Sequence, residues 1–175
     1  MKIKKLFKKW KKRDDGATAI EFSMLLMPYL MLCLGIIELS LMFTSASLLE
    51  GATGKAARLI RTGQLQQSGQ DPETMFRDAF CQFAVVLIDC NDVVIEVTTL
   101  DGYDDFSDPV YDADGNMVTS GFNAGGSDAK VLIRVAYRYS MITPLVGPIL
   151  NGADGTTLFM STIVLQTEPY EFQGS

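Results

Sequence analysis

The chain contains no histidine. That absence removes Ser–His–Asp and Cys–His nucleophilic catalysis, together with the commonest transition-metal ligand. Cysteine is scarce, at three in 175 residues: Cys33, Cys81 and Cys90. Positive charge is nearly missing from most of the chain. Residues 1–16 hold eight of the fifteen Lys and Arg against two acids, a net +6, and the remainder has seven bases against nineteen acids, a net −12. An acidic remainder argues against a nucleic-acid surface, since neutralising phosphates takes a basic patch.

What is present begins with the stretch KKRDDGATAIEFSMLLMPYLMLCLGIIELSLMF, Lys11 to Phe43. From Ala17 to Phe43 it is almost continuously apolar, interrupted by Glu21, Ser23, Pro28, Glu38 and Ser40. At about 1.5 Å per residue, Phe22 to Phe43 spans roughly the 30 Å hydrocarbon core of a bilayer. The run is too long for a signal-peptide core, and only Thr44-Ser45-Ala46 mimics a small-residue cleavage site after it. A basic flank before such a run stays cytoplasmic, so the C-terminal part is expected on the far, extracytoplasmic side of the membrane. Cys81 and Cys90 then lie where oxidising conditions permit a disulfide. Pro28 removes one helical hydrogen bond and is expected to kink the helix near Met24. Glu38 has two readings, a carboxylate snorkelling to the interface or one paired with a partner helix.

Beyond the apolar run, Leu48, Leu49, Ala52, Ala56, Leu59 and Ile60 recur at helical spacing, so the membrane helix is expected to continue as a stalk to about Gln64. Gly51 and Gly54 weaken it, and Gly63 stops it. Asp71 is an N-cap with Pro72 in the first turn, opening a second helix to about Leu87. Its apolar stripe is Met75, Phe76, Ala79, Phe80, Phe83 and Val86 or Leu87. Cys81 on this helix and Cys90 just past it are expected to bond, stapling the helix end to the following strand; zinc is the weaker alternative, since the C-x8-C spacing suits no common zinc site without other ligands.

Three strands follow. Val93 to Thr99 alternates, with Val93, Ile95 and Val97 on one face. Lys130 to Tyr139 alternates too, with Lys130, Arg134 and Arg138 opposite Val131, Ile133, Val135, Tyr137 and Tyr139. Thr157 to Gln166 is apolar on both faces, as in a central strand or one contacting a partner. The segment between the first two strands carries Asp101, Asp104, Asp105, Asp108, Asp112, Asp114 and Asp128 and reads as a solvated acidic loop, with a small hairpin near Asp114-Gly115. Asp112 to Asn116 superficially resembles a calcium loop, but its glycine falls two positions early and the twelfth position is not glutamate. The apolar connection Met141 to Ile149, with two prolines, is expected to pack beneath the sheet rather than dock on another subunit or on the membrane. The fold class is therefore α+β: a long N-terminal membrane and stalk helix continuing into a small extracytoplasmic domain with a second helix and a three- to four-stranded antiparallel sheet. The expected divisions are a basic leader 1–16, a transmembrane helix 17–43, a stalk extension 44–64 and a domain 65–175.

The basic leader, Gly16, the Ala17-Thr18-Ala19-Ile20-Glu21-Phe22 stretch and the apolar run together resemble the class III signal peptides of type IV pilins, especially the Flp/Tad branch. Glu21-Phe22 looks more like the TadE/TadF pseudopilins than the Glu-Tyr of the major Flp pilin. The ATGKAARLIRTGQ stretch, the helix into Cys81 and Cys90, the ITPLVG segment and the closing VLQTEPY also resemble TadE-like proteins in order; the acidic loop has no match. The resemblance implies cleavage between Gly16 and Ala17 by a prepilin peptidase, on the cytoplasmic side. It implies a minor pseudopilin of the tight-adherence (Flp) pilus, with a TadF-like partner, the major Flp pilin and the inner-membrane pilus platform as partners. No cofactor, metal or enzyme activity is implied. Physically, cleavage creates an ammonium at Ala17, and the Glu21 carboxylate four residues on shares its helix face and can pair with it within or between subunits. Glu21, Phe22 and Glu38 are thus the candidate assembly residues. The competing readings are an uncleaved, single-pass membrane-anchored binding module, and an anchored hydrolase using paired loop aspartates, for which the flexible Asp/Gly/Ser segment offers no pre-organised site.

Overall fold

A computed structural model describes residues 15–84, 86–143, 147–151 and 155–169. The basic leader to residue 14, Pro144 to Val146 of the apolar connection and Tyr170 of the closing stretch lie outside the described residues.

Helix α1 runs Asp15–Arg61, 47 residues without a break, and Pro28 sits inside it. The apolar run and its amphipathic continuation are one rod. It ends at Gly63, whose φ of 70° is the left-handed conformation that lets its amide reach the Ile60 carbonyl at 3.1 Å. A single turn, α2 (Gln64–Gln67), follows. Helix α3 (Pro72–Ala84) is capped by Asp71, whose carboxylate accepts from the Thr74 amide at 2.9 Å and the Thr74 hydroxyl at 2.6 Å. Those bonds from Thr74 hold the Asp71 carboxyl below its ordinary value.

Helix α3 ends three residues short of the expected Leu87. The Leu87 and Ile88 amides both turn back to the Ala84 carbonyl, and this tight exit lets Cys90 return to Cys81, with which it forms a disulfide. The turn also revises the stripe. Phe76, Phe80, Ala84 and then Ile88 are buried, whereas Val86 is 79 % exposed. Phe83 lies at the rim, its ring under Lys55 Nζ at 3.9 Å and close against Gly51.

Strands β1 (Val93–Leu100), β4 (Lys130–Ser140) and β5 (Thr156–Gln166) form an antiparallel sheet in the order β1-β4-β5. β2 (Val110–Tyr111) and β3 (Met117–Val118) form a separate hairpin, and α4 (Gly147–Asn151) is a short helix before β5. The inner face of the sheet, with Val93, Ile95, Val97, Val131, Ile133 and Val135, closes on Leu49, Ala52, Ala56 and Ile60 of α1 and on Phe76 and Phe80 of α3. The small residues Ala52 and Ala56 are fully buried, which lets the stalk approach the sheet closely.

Two expectations are corrected here. The two-faced apolar strand β5 is an edge; β4 is the central strand. The other edge, β1, is covered: the Val97 amide donates to Gly121 and its carbonyl accepts from Asn123 at 2.7 Å. The acidic segment is not simply a solvated loop, because it lies over the outer face of the sheet and buries Met117 there, beside a fully buried Leu132 and Ala136. The basic residues of β4 hold it in place. Lys130 Nζ donates to the Asp101 carbonyl at 3.2 Å, Arg134 donates to Ser107, and Arg138 donates to Asn116 Oδ1 at 2.7 Å and to the Asp114 carbonyl at 3.0 Å.

β5 runs alongside the stalk. At its start the Gly155 carbonyl accepts from Met141, and just past its end the Glu168 amide donates to the Arg61 carbonyl at 2.8 Å. The domain therefore flanks the last turns of α1 instead of sitting on the tip of the rod.

Candidate functional site

The first half of α1 is bare. Met24 and Leu25 are 74 % and 73 % exposed, and Phe22, Met27, Leu32 and Ile36 also face outward. Only 6 % of the most apolar stretch is buried within the chain, so this is not the core helix of a compact domain. Among the described residues it is the one helix long and apolar enough to cross a membrane. Ser23 and Ser40 are satisfied within the helix: Ser23 donates to the Ile20 carbonyl at 2.8 Å and Ser40 to the Ile36 carbonyl at 2.7 Å. The carboxylates that hydrocarbon would tolerate least are Glu21 and Glu38.

Gly16 and Ala17 lie in the first turn of α1. Gly16 is exposed, and a Cβ added there meets nothing within 4 Å. Among the described residues nothing in the packing requires glycine at that place. Glu21 and Phe22 are both exposed on the rod, with Phe22 at 63 %. Glu21 stands one helical turn beyond Ala17, on the same face.

Glu38 is different. It is the first buried side chain along α1, only 1 % exposed. Its Oε1 accepts from the Tyr139 hydroxyl and from the Ile142 amide, each at 3.0 Å. Its Oε2 accepts from the Thr143 amide at 3.0 Å and from the Thr143 hydroxyl at 2.7 Å. β4 brings Tyr139 to the stalk on the inner face of the sheet, and the chain leaving β4 wraps its next two exposed amides around the carboxylate. The Tyr139 phenol is pushed up to about 12, first by burial and then by donating to Glu38. The structure thus gives Glu38 partners within its own chain, and it joins the membrane helix to the domain. Neither sequence reading of Glu38, snorkelling or pairing with another helix, contained this. The donors lie more than a hundred residues away, so no local pattern pointed to them. The one available signal was a carboxylate in an apolar run with nothing nearby to satisfy it.

A second buried polar pair organises the outer face. Arg134 Nη1 lies 3.0 Å from Glu96 Oε2, with the two side chains 5 % and 8 % exposed. Glu96 Oε1 accepts from the Ser120 hydroxyl at 2.6 Å and from its amide at 3.1 Å. Burial alone would push the Glu96 carboxyl up, but the hydrogen bonds from Ser120 and Arg134, with the arginine charge, together hold it below its ordinary value. The Asp112 carboxylate, the best candidate calcium ligand in the sequence, is engaged by the turn itself: the Asp114 and Asn116 amides donate to it at 2.9 and 2.7 Å. Those bonds, from Asn116 first, lower its carboxyl. Among the described residues no three His, Cys, Asp or Glu side chains are grouped to hold a metal ion.

The arrangement is one bare apolar helix, long enough to anchor the chain in a membrane, carrying a small α+β domain along its far half, with a disulfide-stapled helix within that domain. Residues 16–58, which take in the bare apolar helix and most of its continuation, match the model of the TadE-like protein family. No curated protein and no solved structure matches the chain.

Proposed function

We propose that the chain is a minor pseudopilin of the tight-adherence (Flp) pilus, anchored in the bacterial inner membrane with its domain outside. It is processed after Gly16 by a prepilin peptidase and acts in pilus assembly with other pilins and the membrane platform. The observation that carries this reading is the TadE-like match, which opens on Gly16 and follows the bare helix into the stalk. Two features support it. Open space around Gly16 is compatible with a peptidase's need for an unobstructed scissile bond. The exposure of Glu21 leaves a carboxylate on an apolar rod that needs a cation, and an Ala17 ammonium one turn away on the same face supplies it, in the same subunit or the next.

The test is the intact mass and N-terminal sequence of the protein taken from membranes of its own cells. A mature chain beginning at Ala17 is the expected result. A chain retaining Met1 to Gly16 would overturn processing and leave an uncleaved anchored binding module.

A further inference from the structure

The geometry points to a second membrane contact: the base of the extracytoplasmic domain, at Ile142, Pro148 and Ile149, rests in the interfacial layer of the bilayer that holds the helix. This inference rests on the membrane-anchor reading of α1. It adds that the lipid-embedded part of the helix ends at Ile37, not Phe43, and that the domain is held down on the lipid rather than carried clear of it.

Height is set by Glu38. Its carboxylate is bound by the amides of Ile142 and Thr143, so that loop lies level with residue 38 of the rod. Below that level α1 presents bare apolar side chains to its surroundings; above it the domain covers one side. From Ala17 to Ile37 the helix rises about 30 Å, the thickness of a hydrocarbon core, so the first residue past the hydrocarbon is Glu38 itself. A carboxylate there is costly unless fully bonded, and this one has four donors.

The residues at that level outside the helix are apolar and open. Ile142 is 69 % exposed and Ile149 78 %, the latter among the most exposed large apolar residues described. α4 is pinned to the same base, because the Gly147 amide donates to the Thr143 carbonyl at 3.1 Å and Gly147 packs against Met141 and Gly155. Two isoleucines and Pro148 projecting from one loop cluster are difficult to explain in water, whereas an amphipathic surface at a headgroup boundary accommodates them. The patch continues the apolar surface of the anchor, which makes lipid its occupant. The acidic turn Asp112–Asn116 is held by Arg138, which points from the opposite face of β4 to that of Tyr139, so the charge lies on the far side of the sheet from the stalk.

The experiment uses the full chain in lipid nanodiscs, with Cys33→Ser to remove the free thiol and one environment-sensitive fluorophore at a time, on Leu30→Cys, Ile142→Cys, Ile149→Cys or Gln70→Cys. Nitroxide lipids carrying the quencher near the headgroup or deep in the acyl chain report depth. The expected result is deep quenching at position 30, at least twofold shallow quenching at 142 and 149, and none at 70. If position 30 is quenched but 142 and 149 behave like 70, the base stands in water and this inference is wrong while the anchor survives. If 142 and 149 are shielded from aqueous iodide without lipid quenching, a protein occupies the patch and the inference is wrong. If position 30 itself is unquenched, the anchor reading fails first. Both isoleucines are exposed, so their replacement leaves folding intact, which retention of the Cys81–Cys90 disulfide by mass verifies.

Discussion

Replacing Glu38 by alanine tests the joint between anchor and domain. The carboxylate accepts four hydrogen bonds, all from Tyr139, Ile142 and Thr143. A hydrogen bond to a charged group contributes about 1.5–3 kcal/mol, but four around one carboxylate are not additive, and a peptide amide that can regain water loses little. The Ile142 and Thr143 donors are only partly buried. The Tyr139 hydroxyl is buried with its residue 5 % exposed, so its orphaning is the heaviest single loss. We expect a net loss of about 3 kcal/mol, and for a chain of this size about 2–4 °C per kcal/mol, hence a fall in melting temperature of about 6–12 °C. Glu38→Gln, which keeps the shape and one acceptor oxygen, should lose about half of that. The assays are thermal unfolding in detergent and amide hydrogen exchange at Ile142 and Thr143. Glu21→Ala, at an exposed position, should melt with the parent. A Glu38→Ala protein melting within about 1 °C of the parent, or a Thr143 amide that already exchanges freely in the parent, would refute the joint.

Gly16→Phe should leave the leader attached, read as an intact mass including residues 1–16; normal processing would remove the peptidase assignment. Reducing the Cys81–Cys90 disulfide should cost about 2.5 kcal/mol, the loop-closure value for a separation of 9 residues, read as the shift in urea midpoint with and without reductant. The Glu96 carboxyl is held below its ordinary 4.5, so the stability it contributes is present above that pH and is lost as pH falls through its lower folded value. Glu96→Gln should therefore flatten the acid limb of stability measured from pH 6 to 3, and an unchanged acid limb would contradict the pairing with Arg134. Arg134→Leu, which leaves Glu96 buried and uncompensated, should cost about 3 kcal/mol and expose the hairpin to proteolysis. Gly54→Ala should stabilise by about 0.5–1 kcal/mol, because an added Cβ there meets nothing within 4 Å and the helix gains propensity.

The parts of this protein legible in the sequence are those governed by short-range periodicity. A long apolar run passing into apolar residues at helical spacing specifies the rod, Gly63 its end and Asp71-Pro72 the start of α3. Period-two alternation specifies β1 and β4 to within a residue. The Cys81–Cys90 pair is close enough in sequence for one turn to close it. Tertiary structure decided which strand is central, because strand order depends on how the long connection returns and not on the composition of any strand. β5 is apolar on both faces and still lies at the edge. It also decided what the charged face of β4 is for. Lys130, Arg134 and Arg138 alternate as a solvent face would, but the acidic segment folds back over them because their donors satisfy its carbonyls and the carboxylate of Glu96. Above all it decided Glu38. In the sequence that residue is one charge in an apolar run. Only the return of the chain from Tyr139 to Thr143, about a hundred residues later, places four donors around it. A buried carboxylate is tolerable only where its partners converge, and that convergence is a property of the folded chain.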